Sequence, residues 1–141
     1  VPGHGIVIAV PSNRLGGGNT VAYLNGGRSP KYTPDLSCAY ELIIAIANEG
    51  GTDAVMNAAR AAGARGGTVL HGKGTGAKGA PKFYNISIAA EKEVILIVSA
   101  AEQKAEIMRS ILKKAGPDTP AKAIVFSLPT SEVAGFGFFD S

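Results

Sequence analysis

Two segments of this 141-residue chain, Leu42–Ala47 and Val94–Val98, contain only apolar side chains. A strand with one face in water alternates apolar and polar residues, because successive side chains point to opposite faces. These two runs do not alternate, so both faces of any sheet they form must be covered. The segments around them limit what can do the covering. CAYELIIAIAN (38–48) reads as a strand, and Glu49-Gly50-Gly51 as a turn. Thr52 is placed to N-cap a helix whose dipole Asp53 complements. Val55, Ala58, Ala59 and Ala62 recur at helical spacing, and Gly63 ends the run. Gly67–His71 is a second strand, 72–82 a loop, 83–89 an extended segment and Glu93–Ser99 a third strand. A helix from Ser99 or Ala101 to about Ala115 sets Ala105, Met108, Leu112 and Ala115 on one face, and Gly116-Pro117 stops it. Lys122–Leu128 is a fourth strand, stopped by Pro129.

The order β-α-β-β-α-β predicts an α+β fold, a ferredoxin-like sandwich with both helices on one face of an antiparallel sheet. The helices cover only that face. No further element in the domain is available for the other, so the apolar runs predict self-association through the sheets.

The stretch GARGGTVLHGKGTG (63–76) closes the first helix, lays down a strand and opens into a glycine-rich cationic loop. Between Ala54 and Ala90 there is no Asp or Glu, while Arg60, Arg65, Lys73, Lys78 and Lys82 fall in that window. Unblocked N–H groups beside lysines favour an anion; the plainer alternative is a solvated hairpin tip. Gly67–Lys73 comes near a phosphate-binding P-loop, but Gly74 stands where Ser or Thr is required, and apolar strand formers fill what must be a loop.

The formal net charge of +3 is modest, and no aromatics interleave with the basic residues, which argues against nucleic acid as a partner. The single cysteine, Cys38, excludes an internal disulfide and fits a reducing, cytoplasmic setting. The apolar run Ile6–Val10 is too short to enter a membrane as a span. With His4, His71 and Cys38 alone, no metal-ligand spacing exists. His71 reads as a satisfied strand-end histidine, Glu91 and Glu93 as surface charges, and Glu102, Lys104 and Glu106 as a solvated helix face.

The N-terminus matches a later part of the same chain. Pro2–Pro11 (PGHGIVIAVP) aligns without a gap to Pro120–Pro129 (PAKAIVFSLP), and Gly17 then falls on Gly135. Residues 1–18 are therefore expected to be the last strand of a preceding, incomplete repeat, with 19–37 a linker, 38–136 the domain and 137–141 a tail. An unpaired apolar strand is a hazard, so the strand at 5–10 is expected to bond to a sheet edge.

Over 38–136 the chain resembles the PII signal-transduction (nitrogen regulatory protein) family, in its divergent PII-like branch. The resemblance rests on Gly63-Ala-Arg-Gly-Gly-Thr-Val, Lys73-Gly74-Thr75-Gly76, Glu91-Lys92-Glu93-Val-Ile-Leu-Ile-Val, Ala121-Lys-Ala-Ile-Val-Phe and Ser131-Glu-Val. It implies homotrimers of ferredoxin-like subunits, adenine nucleotides bound between subunits, and signalling through a T-loop, here roughly Gly72–Ala90, that meets a target transporter, enzyme or regulator. Thr68, Gly74 and Gly76 match family nucleotide positions, and Lys92 matches a lysine used with 2-oxoglutarate. Ala77-Lys78 replaces the Arg-Gln of members that bind 2-oxoglutarate, and Pro120-Ala121-Lys122-Ala123 replaces a Gly-Asp-Gly-Lys phosphate loop, with Lys122 able to take the lysine's role. Gly135 and Gly137 stand where two arginines are expected.

The resulting expectation is a non-enzymatic cytoplasmic regulator of nitrogen or carbon metabolism. It would bind an anionic metabolite, ATP, ADP or an AMP-type nucleotide first among them, through Thr68, Gly72, Lys73, Gly74, Thr75, Gly76, Lys92 and Lys122. Two alternatives stay open: a small enzyme acting on a phosphorylated substrate, and a CutA-like or purely structural trimeric domain without nucleotide sensing.

Overall fold

A computed structural model describes residues 5–12, 39–75, 82–83, 86–87 and 90–135. Cys38, Gly76, Lys78 and the proposed linker lie outside the described residues. Two compact units divide the chain, one built on residues 39–128 and the other on 1–38 with 129–141.

The larger unit holds β2 (Tyr40–Asn48), α1 (Thr52–Ala61), β3 (Thr68–Gly74), β4 (Lys82–Phe83), β5 (Ile86–Ser87), β6 (Ala90–Ala100), α2 (Lys104–Ala115) and β7 (Ile124–Pro129). A 3-10 turn at Ala101–Gln103 leads into α2. The four long strands form one sheet in the order β3-β6-β2-β7, and β4 pairs with β5. β6 runs antiparallel to both neighbours, with Ile44 opposite Leu96 on one side and Leu70 opposite Val94 on the other. This is the α+β, ferredoxin-like arrangement expected from the order of elements.

The core forms where the helices meet the sheet. Ile43, Ala45, Ile95 and Ile97 are fully buried against Val55, Ala58, Ala59, Ile107 and Ile111. Small residues on α1 let α2 approach closely enough for the Ser110 hydroxyl to donate to the Ala58 carbonyl at 2.7 Å. The buried face of α2 is Ile107–Ile111–Ala115; of the Ala105–Met108–Leu112–Ala115 stripe read from spacing only Ala115 is fully buried, and Leu112 is 46% exposed. Both stripes carry apolar residues at helical spacing, and the two isoleucines bring more area to the core.

Odd-numbered positions of β2 and β6 face the helices. On the face that points away, Leu42 and Val98 are buried, while Ile44, Ile46, Val94 and Leu96 are only half-buried. Flanking them, Leu70, Ile124 and Phe126 are 50%, 54% and 41% exposed.

In the smaller unit β1 (Val7–Ala9) pairs antiparallel with β8 (Glu132–Ala134). The N-terminal strand is thus hydrogen-bonded, but in a two-stranded sheet with β8 and not on an edge of the four-stranded sheet.

Candidate functional site

The glycine-rich segment is strand for longer than the sequence implied. β3 continues through Gly74, with Gly72 opposite Lys92, Lys73 opposite Glu91 and Gly74 opposite Ala90. Part of the backbone expected to be bare is therefore committed to the ladder, because β6 begins at Ala90 and offers these residues a partner. Alternation then sorts the candidate side chains by face. Lys92 shares the face that points away from the helices with Gly72. Lys73 lies on the other face and forms an exposed ion pair with Glu91 at 3.5 Å.

Lys92 sits in a specific bed. A Cβ on Gly74 would come within 2.9 Å of Lys92 Cε and 3.1 Å of Cγ, so the absence of a side chain at 74 lets the lysine stem lie across β3. Its Nζ donates to Asn48 Oδ1 at 2.5 Å. Asn48 in turn donates through Nδ2 to the Pro120 carbonyl at 3.2 Å, and its backbone N–H reaches the Ala121 carbonyl at 2.8 Å. Asn48 was not singled out from sequence, although its place at the end of a strand before a Glu-Gly-Gly turn was visible. Only the strand register puts it beside Lys92.

The turn that Asn48 holds carries Lys122. Lys122 adopts φ 45°, a left-handed conformation that costs a residue with a Cβ about 1 kcal/mol. The Lys122 N–H closes the turn on the Thr119 carbonyl at 3.1 Å. Lys92, Gly72, Gly74 and the 119–122 turn are thus joined through one asparagine. Thr68 shares their face but lies four residues back along β3, about 13 Å from Gly72. Thr75 is exposed just past the strand, and Gly76 lies outside the described residues.

Glu93 is a correction. It was read as a surface charge and is buried, 8% exposed, facing the start of α1. Its carboxylate accepts from the Gly50 N–H at 2.8 Å, the Thr52 N–H at 3.0 Å and the Thr52 hydroxyl. Thr52 is accordingly the first helical residue and not the cap; Gly51 is the N-cap, without a side-chain bond of its own. The signal that could have revealed this is strand parity, since Glu93 falls in step with Ile95 and Ile97. The Thr52 hydroxyl first, then the Gly50 N–H, hold the Glu93 carboxyl below its ordinary value against the opposing effect of burial; the Thr52 N–H and the charge of His71, its partner across the ladder, add to the lowering. His71 is exposed within β3 and does not end it. Lys104, read as part of a solvated helix face, pairs with Glu41 at 2.6 Å.

A cleft of about 210 Å³ lies behind the turn, between Gly50, Gly51, Lys114 and Pro120. The N–H groups of Gly50 and Thr52 beside it are already bound to Glu93. An anion there would meet a carboxylate instead of free donors.

Comparison with known proteins agrees with the fold and with the extent of the domain. The family model described as nitrogen regulatory protein P-II matches residues 40–136. The chain belongs to the P-II family. The P-II match spans every element of the four-stranded sheet and both helices, and extends through β8. Among solved structures, the chain is similar to Arabidopsis thaliana PII, in a crystal structure described as bound to citrate. That similarity has 24% identity and a TM-score of 0.51, and covers 71% of this chain and 81% of the plant protein. No curated protein sequence matches. Among the described residues, no helix of this P-II chain is long and apolar enough to cross a membrane.

Proposed function

We propose that this P-II chain is a non-enzymatic regulator that binds an anionic small molecule, an adenine nucleotide being the first candidate. It acts as a homotrimer associated through the bare sheet face. Lys92 and Lys122 supply the positive charge, Gly72, with open space where a side chain would stand, lets the ligand approach, and Gly74 makes room for the Lys92 stem. Thr68, at the far end of β3, is spaced to meet the other end of an extended ligand. Binding changes the segment between β3 and β6, roughly 72–90, and that segment engages a target transporter, enzyme or regulator of nitrogen or carbon metabolism in the cytoplasm.

The observation that carries this reading is the link from Lys92 through Asn48 to the turn bearing Lys122. It fixes Lys92 beside the turn whose backbone carries Lys122, thirty residues later in the sequence. Membership of a family described as regulatory favours binding over catalysis. The plant relative's ligand, citrate, is itself a polyanion.

Titration calorimetry with ATP, ADP, cyclic AMP and citrate tests it. Saturable binding is expected for at least one of them. Lys92→Ala and Lys122→Ala should each weaken it by roughly 10-fold, the loss of one charge-assisted hydrogen bond. Asn48→Ala should weaken it by a similar factor, although Asn48 itself touches no ligand. Absence of saturable binding, or binding indifferent to both lysines, contradicts the proposal.

A further inference from the structure

We infer that β1 is an internal stand-in for β7 of a second copy of this domain, and that the free edge of β7 is a docking site for β8 of another chain. Three observations meet here. First, the gapless match of Pro2–Pro11 to Pro120–Pro129 places Val7, Ile8 and Ala9 of β1 on Val125, Phe126 and Ser127, the centre of β7. Second, β1 does not stand alone but pairs antiparallel with β8, with Val7 opposite Ala134, Ile8 opposite Val133 and Ala9 opposite Glu132. Third, β7 ends the sheet order β3-β6-β2-β7, so among the described residues only one of its edges is bonded.

The pairing of β1 with β8 is tightly specified. The Ser131 N–H donates to the Ala9 carbonyl at 3.0 Å. Gly135, at φ 83°, packs where any Cβ would collide with the Gly5 carbonyl oxygen. β8 thus accepts an extended partner in one register, in which Val7 is exposed and Ile8 and Ala9 are half-buried. β1 presents Val-Ile-Ala, and β7 presents Val-Phe-Ser in the same order. Strand addition to a sheet edge takes its affinity from the backbone and its register from such alternating side chains. A segment that accepts β1 therefore has the complement of β7. In the inferred pairing, Val125 lies opposite Ala134 of the second copy, Phe126 opposite its Val133 and Ser127 opposite its Glu132. β1 and the β7 edge of a second chain then compete for one β8. A tethered strand competes at millimolar effective concentration, so the full chain keeps β8 occupied by its own β1. The inference needs no ligand and stands apart from the proposed anion site.

Disulfide trapping in the full chain tests it, in a Cys38→Ser background. Residues directly opposite in an antiparallel pair have Cα atoms close enough for a disulfide. Ile8→Cys with Val133→Cys should close within one chain. Chains carrying Phe126→Cys, mixed with chains carrying Val133→Cys, should cross-link slowly while β1 is native. Adding Ile8→Pro to the Val133→Cys chain should speed that cross-link at least 10-fold, because β8 is released. Ile8→Asp, which weakens β1 without altering the backbone, is the second variant if Ile8→Pro does not fold, and should act in the same direction. No 126–133 cross-link between chains after β1 is weakened overturns the docking site. A cross-link that forms equally fast with native and weakened β1 overturns the competition.

Discussion

Replacing Glu93 with alanine is expected to lower folding stability by about 2–4 kcal/mol, one of the largest losses available from a single side chain here. The change strands the Gly50 N–H, the Thr52 N–H and the Thr52 hydroxyl at the start of α1, where Glu93 now satisfies all three. For a domain of this size the thermal midpoint should fall by roughly 10 °C. Glu93→Gln keeps the shape and one acceptor but loses the charge, and should cost less.

The pH dependence has a definite sign. Glu93 is held below its ordinary value of 4.5 in the folded state, chiefly by the Thr52 hydroxyl and the Gly50 N–H. Its carboxylate therefore stabilises the fold fully above that value. The contribution is lost as pH falls through the lower, folded-state value. Thermal denaturation from pH 7 to pH 3 should show the gap between the native chain and Glu93→Gln constant near neutrality and closing in acid. Parallel profiles would show that the carboxylate is not held in the folded state as described.

Leu70→Asp should convert the proposed trimer to single protomers. Leu70 is 50% exposed in the protomer, so an aspartate there should disturb folding little. Buried against sister chains it would place an unpaired carboxylate in an apolar contact, a cost of several kcal/mol per protomer. Circular dichroism should be unchanged while the sedimenting mass drops. Retention of the assembled mass would place the contact elsewhere. Ile124→Asp, on the opposite edge of the same face and 54% exposed, is the companion variant.

Much of this fold was readable in one dimension because its signals are local. The unbroken run Val94–Val98, the Val55–Ala58–Ala59 spacing and the Gly116-Pro117 stop each depend on neighbours along the chain. The face of α2 was misplaced by one residue because Met108 and Leu112 mimic the periodicity of Ile107 and Ile111. The site was legible only in part. Lys92 and Lys122 were identifiable, but Asn48, which ties Lys92 to the turn bearing Lys122, depends on a strand register that links residues forty-four apart. Glu93 was missed although its parity with Ile95 and Ile97 was readable: a carboxylate beside Lys92 looks solvated, and only the fold brings the Gly50 and Thr52 donors to it. The continuation of β3 through Gly74 was hidden because glycine carries no strand signal, and only the partner strand extends it.

Sedimentation equilibrium of the unmodified chain at micromolar concentration bears most directly on the bare sheet face and the lysines at its end. A single species of three times the 14.3 kDa protomer mass is expected. A stable 14.3 kDa particle across that range would mean that the apolar face stays in water, and would remove the inter-subunit setting in which the proposed ligand is bound.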